Sequence, residues 1–143
     1  MPTDSPAPRR SIAEVLAAAR ASGPHRFTPR ELQEALAGER APLVIDIRGA
    51  HTRGPEGHIP GAVVIDHTVV EWRLDPQCPY RMDGGPGYDD IVVVVCNEGY
   101  SSSLMARNLR ELGLVHATDL DGGFRGWAAA GLPVQAEPTR HVH

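Results

Sequence analysis

The feature that most constrains the fold is a run of five β-branched residues at positions 91–95, apolar at every position. A strand without polar alternation has both faces covered, which is typical of a parallel sheet with helices on either side. Further strand candidates at 43–47, 62–65 and 117–120 alternate with helical patterns. The sequence therefore predicts an α/β domain with a mainly parallel central β-sheet flanked by helices.

Capping patterns predict where two of the helices begin. Ser11 and Thr28 each precede a glutamate by three residues, which is the spacing of a capping box, and Pro29 suits the first helical position. Apolar spacing and flanking glycines then predict helices at residues 11–21, 28–38, 102–112 and 124–130, with a short edge strand at 25–27. Residues 66–90 hold three prolines and three glycines and predict an irregular loop, which at this length is more often functional or partly mobile than inert.

Length and charge exclude several classes of protein. The 143 residues carry 14 Lys+Arg against 18 Asp+Glu without a basic cluster, so nucleic-acid binding is not expected. The longest strongly apolar run, 91–96, is far shorter than the roughly 20 residues that span a bilayer, so no membrane association is expected. Without a signal-peptide pattern, the expected location is cytoplasmic. The expected organisation is a leader with a short helix at 1–24, one domain at 25–136 and a flexible tail at 137–143.

The two cysteines, Cys78 and Cys96, are too few for a disulfide framework and are expected as free thiols. No zinc-finger spacing of cysteine and histidine occurs, so no metal is expected. No dissociable organic cofactor is expected either. For Cys78, an inert thiol stands beside a second interpretation, an internal disulfide with Cys96. That disulfide requires the two Cα atoms to lie within about 7 Å.

Cys96 stands at the end of the buried run and opens a short loop that leads into a helix beginning with serines. In open α/β sheets, ligands bind beyond the carboxyl ends of the strands. A tight loop before a helix N-terminus turns backbone N–H groups toward one point and adds the positive end of the helix dipole. Both effects favour an anion at Cys96 and predict a thiol pKa below the free value of about 8.5. The alternative is a strand-end cysteine that acts as a small apolar residue.

Three separated segments carry motifs. They are Asp-x-Arg at 46–48 continuing to GHIPGA at 57–62, the loop CNEGYSS at 96–102, and DGGFRGW at 121–127 continuing to GLPV at 131–134. In this order they resemble the rhodanese-like, or single-domain sulfurtransferase, family over about residues 26–134. The resemblance implies a rhodanese-like three-layer fold.

The resemblance also implies a function for Cys96. It would accept a sulfane sulfur from thiosulfate or a persulfide donor, become a persulfide, and pass the sulfur to a thiol or to cyanide. The loop that would hold the outer sulfur comprises Asn97, Glu98, Gly99, Tyr100, Ser101 and Ser102. The serines can cap the following helix at the same time. The implied partners are a small sulfur donor and a thiol acceptor, with a protein thiol as a further candidate.

Four residues are candidates for the entrance of the site. Asp46 and Arg48 match family positions near it, with a structural ion pair as an equal alternative. Trp72 and Arg73 lie in the irregular segment, where an arginine over an aromatic ring could accept an anion, although a packed tryptophan beside a surface arginine is the commoner arrangement. By the same comparison, His58 is structural.

The loop departs from the family in its charge. Members that use thiosulfate well often carry a basic residue in the loop, whereas this chain has Asn97 and Glu98. A carboxylate here should repel a dianionic donor, so weak thiosulfate turnover and a less charged persulfide donor are expected. Gly54 and Pro55 also replace residues that often follow Asp-x-Arg, which concerns the entrance loop more than the fold.

Three other functions compete with a sulfurtransferase. A phosphatase or arsenate reductase of this fold has an arginine six positions after the cysteine, where this chain has Ser102 and therefore no bidentate clamp for an oxyanion. A sulfur carrier or sensor acting on a partner protein needs the same reactive Cys96 and stays open. A catalytically inactive interaction domain is disfavoured because such domains commonly lose the cysteine.

Overall fold

The computed structural model describes residues 7–143. Across these residues the chain forms six helices and five strands. The helices are α1 (Ile12–Ala21), α2 (Pro29–Leu36), α3 (Ala50–Glu56), α4 (Val70–Leu74), α5 (Ser101–Glu111) and α6 (Gly123–Ala129). The strands are β1 (Leu43–Asp46), β2 (Val63–Ile65), β3 (Val92–Val95), β4 (Ala117–Asp119) and β5 (Arg140–Val142).

The five strands form one sheet in the order β4-β3-β1-β2-β5, and every neighbouring pair is parallel. In the register, Ile45 of β1 stands between Val63 of β2 and Val94 of β3. Val94 in turn pairs with Asp119 at the end of β4. The carboxyl ends of β1, β3 and β4 therefore meet at one edge of the sheet.

Helices cover both faces of the sheet and produce two cores. Val92 and Val94 face one core, to which α4 and α5 contribute, while Val93 and Val95 face the other core, formed with α2 and α6. All four valines are fully buried, and burial of each stabilises the fold by about 1.5–3 kcal/mol. The alternation explains why this strand is apolar throughout, and the predicted three-layer α/β fold with a parallel sheet is confirmed.

The N-terminal segment packs against the rest of the chain. Ser11 and Thr28 form the two predicted capping boxes, with hydrogen bonds to Glu14 and Glu31 respectively. Arg110 of α5 donates to the Ala19 carbonyl at 2.8 Å, which ties α1 to α5. The predicted edge strand at 25–27 is reduced to a single parallel bridge between Phe27 and Leu120.

Three elements differ from the sequence predictions. Helix α3 contains Pro55 and α4 lies in the segment predicted as irregular, and both are too short to show a helical period. The segment predicted as a flexible tail at 137–143 contains β5, which extends the sheet by pairing with β2. Strand β5 is stabilised by pairing with β2, which is distant in the sequence, so the local sequence does not predict it. Residues 1–6 of the predicted leader lie outside the described residues.

The remainder of the predicted loop, after α4, is irregular but anchored. Met82 is buried, and its N–H donates to the Arg73 carbonyl at 2.8 Å. None of the helices within residues 7–143 is long and apolar enough to cross a membrane.

Candidate active site

Cys96 follows β3 directly, and the loop that it opens passes into α5 at Ser101. A second loop, between β4 and α6, packs backbone to backbone against it. The Phe124 N–H donates to the Cys96 carbonyl at 2.9 Å, and the Arg125 N–H donates to the Asn97 carbonyl at 3.1 Å. A Cβ at Gly123 would lie 2.6 Å from that same Cys96 oxygen, so only glycine permits this contact. The two loops thus hold Cys96 in place.

The environment of the Cys96 thiol favours its anionic form. The Sγ is largely buried, accepts the Gly99 N–H at 3.2 Å and donates to Ser102 Oγ at 3.2 Å. Burial works to raise the pKa of the Cys96 thiol, but hydrogen bonds from Ser102, Ser101 and the loop backbone outweigh it and lower this pKa overall. The direction agrees with the sequence prediction.

Behind the thiol lies a buried carboxylate, Asp119, which is 2% exposed. Ser102 Oγ donates to Asp119 Oδ2 at 2.6 Å, and Ser103 Oγ donates to the same oxygen at 2.8 Å. Arg26 completes the group with Nε 2.8 Å from Asp119 Oδ1. The arrangement is a hydrogen-bonded chain from the thiol through a hydroxyl to a carboxylate whose charge is balanced by a guanidinium.

The thiol lies at a cavity of about 620 Å³. Its apolar lining comes from Ile47, Tyr100, Leu104 and Met105, and its polar lining includes Arg48, His67, Asn97, Glu98, Ser101 and Asn108. The loop residues predicted around Cys96 are therefore brought together at one opening, apart from Gly99 and Ser102, which lie behind the cavity wall and contact Cys96 directly.

The rim of this opening carries a shared ion pair. Arg125 donates from Nη1 to Glu98 at 2.8 Å and from Nε to Glu56 at 3.1 Å. These hydrogen bonds and charges lower the pKa of Glu56 and raise that of Arg125. Two carboxylates share one guanidinium, so this part of the rim is net negative.

The predicted entrance residues fall into two groups. Asp46 and Arg48 form a fully buried ion pair, Arg48 also donates to the Gly57 carbonyl, and its guanidinium stacks 3.9 Å from the Phe124 ring centroid. These contacts fit the structural ion pair that the sequence offered as the alternative to an entrance role, although Arg48 also lines the cavity. Trp72 and Arg73 do not line it. Arg73 instead binds the His143 and Tyr80 carbonyls.

The other residues considered from sequence have structural surroundings. His58 is buried and bonds through Nδ1 to the Ala136 carbonyl, as predicted for a structural role. Cys78 and Cys96 are both free thiols, and the Tyr80 N–H contacts Cys78 Sγ at 3.4 Å.

Sequence reasoning missed the residues behind the loop, of which Asp119 and Arg26 are the clearest. A signal for Asp119 was available, because it lies near the carboxyl end of the strand predicted at 117–120, and strand ends of a parallel sheet share one edge. Arg26 gave no comparable signal, since its partners lie at least 73 residues away in sequence.

A family model and two curated proteins are similar to most of this chain. The Rhodanese-like domain family model matches residues 28–130. Thiosulfate sulfurtransferase GlpE of Actinobacillus pleuropneumoniae is 29% identical over 109 residues, which cover 76% of this chain and 91% of that one. A putative thiosulfate sulfurtransferase of Synechococcus elongatus is also 29% identical, over 68% of this chain but 34% of that protein.

Two solved structures are informative. A protein of unknown function from Rhodopseudomonas palustris, described as a possible tyrosine phosphatase, is 28% identical with a TM-score of 0.79 over 94% of this chain and 99% of that chain. A human single-domain sulfurtransferase is 26% identical with a TM-score of 0.64, over 75% of this chain and 97% of the other. The first match covers more of this chain than the family model does.

Proposed function

Because this chain belongs to the rhodanese-like domain family, we propose that it is a sulfurtransferase that carries sulfane sulfur as a persulfide on Cys96. The observation that carries the proposal is the Cys96 thiol, which accepts a backbone N–H inside a tight loop and opens on a cavity. Relatives named as thiosulfate sulfurtransferases support the reaction class.

The reaction takes place in two displacements. The Cys96 thiolate attacks the outer sulfur of the donor, a bond from Sγ to that sulfur forms, and the donor's sulfur bond breaks as its remaining portion leaves with the electron pair. An acceptor thiolate or cyanide then attacks the outer sulfur of the persulfide. Cys96 leaves as thiolate, so the enzyme is regenerated without any change in its oxidation state.

The loop stabilises the charges that move in these steps. In the resting protein the Gly99 N–H is 3.2 Å from Sγ, and the N-terminus of the 11-residue helix α5 follows at Ser101. Backbone donors and the helix dipole act on the thiolate and on the terminal sulfur of the persulfide alike. A low thiol pKa also makes Cys96 a better leaving group in the second step.

The cavity favours a donor with an organic body over thiosulfate. Its volume of about 620 Å³ and its apolar wall of Ile47, Leu104 and Met105 exceed what a small dianion fills. Arg48, which lines the cavity, is paired with Asp46, and Arg125, which binds the lining residue Glu98, is shared with Glu56. A neutral or cationic persulfide of a low-molecular-weight thiol suits this lining better than thiosulfate does.

The same thiol would serve a sulfur carrier that loads once and unloads only to a partner protein. A phosphatase is disfavoured because Ser102 stands where the oxyanion clamp needs arginine, and its hydroxyl is bonded to Asp119.

Intact mass spectrometry tests the proposal. The protein is incubated with cysteamine persulfide, whose ammonium group balances its persulfide charge, or with thiosulfate, and then with cyanide, alongside Cys96→Ser and the matched variant Cys78→Ser. We expect a gain of one sulfur that cyanide removes, present in Cys78→Ser and absent in Cys96→Ser. No gain with either donor would contradict the proposal. Turnover beyond one equivalent identifies an enzyme, whereas arrest after one equivalent identifies the carrier.

A further inference from the structure

Helix α1 ends beside the Cys96 loop, although it lies outside the family-matched residues 28–130. Arg20, in its last turn, donates from Nη2 to the Gly99 carbonyl at 2.8 Å and from Nε to Ser103 Oγ at 3.1 Å. Its guanidinium also lies 5.8 Å from the centroid of the Tyr100 ring. All these contacts are to the loop or to the first turn of α5.

The guanidinium of Arg20 is directed at the Cys96 loop and the first turn of α5. Within residues 7–143, no carboxylate forms an ion pair with it, whereas Arg26 is held by Asp119. Hydrogen bonds from a charged donor are roughly twice as strong as neutral ones. A half-buried arginine that binds a carbonyl and a hydroxyl, rather than an acid, therefore stabilises the geometry of that loop specifically.

The Gly99 carbonyl is the centre of this contact. It accepts from Arg20 at 2.8 Å and from Arg26 Nη2 at 3.0 Å. In a trans peptide the carbonyl and the following N–H point in opposite directions, so the Tyr100 N–H is turned away from both arginines. Two cationic donors polarise the peptide and strengthen that N–H as a donor. Gly99 also gives its own N–H to Cys96 Sγ, so its position governs the donors around the sulfur.

We propose that Arg20 is a positioning residue for sulfur transfer, which holds the Cys96 loop in its anion-binding shape through Gly99 and Ser103. Helix α1 thereby belongs to the functional unit. The inference rests on the proposed function of Cys96.

Two arginine variants separate loop positioning from helix docking. Arg20→Met removes the loop contacts and keeps an apolar stem. Arg110→Met is the matched control, because Arg110 binds the Ala19 and Ala117 carbonyls and joins α1 to α5 without a hydrogen bond to the loop. Both are made in the Cys78→Ser background, so that iodoacetamide reports on Cys96 alone.

The readouts are the pH midpoint of alkylation, kcat and KM for sulfur transfer, and the unfolding temperature. We expect Arg20→Met to raise the midpoint by about half a pH unit or more, because Arg20 no longer holds the backbone donors of the loop in place around the sulfur. The kcat should fall about fivefold or more with little change in KM, since geometry rather than binding is affected. Arg20→Lys, which can retain one bond to Gly99, should fall between, and Arg110→Met should leave the midpoint and kcat unchanged.

If Arg20→Met lowers the unfolding temperature but shifts neither the alkylation midpoint nor kcat, the proposal is overturned. An equal shift in Arg110→Met would overturn it as well, because docking of α1 would then suffice. The alkylation midpoint requires no sulfur transfer. Failure of Cys96 to accept sulfur therefore counts against the proposed function, while the midpoint alone tests how Arg20 acts on the loop.

Discussion

Ser102 Oγ lies 2.6 Å from Asp119 Oδ2, and both side chains are shielded from solvent. The single hydroxyl hydrogen of Ser102 is thus given to the carboxylate while its oxygen accepts the thiol of Cys96. When the thiol loses its proton, the Ser102 hydroxyl either turns to donate to the sulfur or stays on Asp119, in which case the thiolate lacks this hydrogen bond. The Asp119 carboxylate and the Cys96 sulfur thus compete for the hydroxyl hydrogen of Ser102. We therefore expect substitutions of Ser102 and of Asp119 to shift the pKa of Cys96 in opposite directions.

Replacing Ser102 by alanine removes a donor from the thiolate. We expect Ser102→Ala to raise the Cys96 pKa and to lower kcat by about fivefold to tenfold. Iodoacetamide alkylation against pH and steady-state sulfur transfer measure the two effects. Thr118→Val is the matched control, because the Thr118 hydroxyl is also buried but donates to the His25 carbonyl and makes no hydrogen bond to Cys96. An unchanged alkylation midpoint in Ser102→Ala would contradict the assignment.

Replacing Asp119 by asparagine acts in the other direction on the thiol. The negative charge and the stronger competitor for the Ser102 hydrogen are both lost, so we expect the Cys96 pKa to fall below that of the wild type. The folded state should lose about 2–4 kcal/mol, because Arg26 then lacks its charged partner. Urea unfolding and thiolate absorbance in Asp119→Asn measure these changes. A raised thiol pKa would show that Asp119 supports the thiolate instead.

The pH dependence of Cys96 follows from the direction of its shift. Because hydrogen bonds lower its folded pKa overall, alkylation should rise through a midpoint below that of a free thiol and then level off. Ionisation of Cys96 contributes to the free energy of unfolding, and this contribution is fully present above the pKa of the thiol in the unfolded chain. It is lost as the pH falls through the lower pKa of the folded state. Stability curves of wild type and Cys96→Ser should therefore diverge in that window and run parallel below it.

Charge at the rim should control the choice of donor. Glu98→Gln removes one carboxylate and leaves Arg125 paired only with Glu56, so we expect thiosulfate kcat/KM to rise about threefold to tenfold. Turnover of a neutral persulfide should change little. Glu111→Gln, at the far end of α5, is the matched control for net charge. The increase in thiosulfate kcat/KM should become smaller at high salt. An increase that does not depend on ionic strength would rule out the electrostatic explanation.

The contact between the two loops makes Gly123 the most sensitive glycine of the site. A Cβ there would lie 2.6 Å from the Cys96 oxygen, and φ is +61°, so we expect Gly123→Ala to cost about 3 kcal/mol or more and to abolish transfer. Gly131→Ala is the control, since φ is +75° there but no atom lies within 4 Å. It should cost only about 1 kcal/mol and remain active. Thermal unfolding and transfer assays compare them, and equal losses would contradict the steric explanation.

The sequence was informative wherever the signal was local. The four-valine strand, its Cys96 loop and the capping boxes at Ser11 and Thr28 were predicted because period, turn residues and caps act within a few positions. Helices α3 and α4 were missed, since five to seven residues contain too little period to recognise. Strand β5 was missed because it depends on pairing with β2, 77 residues earlier in the chain.

The same distinction applies to the site. Cys96 and its loop could be located from the motif, because adjacent residues build the cradle. The support behind it could not, since Arg20, Arg26 and Asp119 come from three separate segments and meet only through the packing of α1 and β4 on α5. Trp72 and Arg73 illustrate the reverse error, because they were expected in an irregular segment near the site, whereas they lie in α4 and Arg73 binds the His143 carbonyl just after β5.

The backbone contact between the Cys96 loop and Gly123 also restricts the shape of any partner. The Cys96 sulfur is largely buried, and backbone hydrogen bonds from the second loop hold its own loop in place, so the sulfur stays recessed from a broad, flat surface. A reacting sulfur must instead be carried inward on a slender, flexible extension. Small thiols satisfy this requirement, as does a cysteine near the end of an unstructured protein tail, whereas a cysteine set into a rigid surface does not.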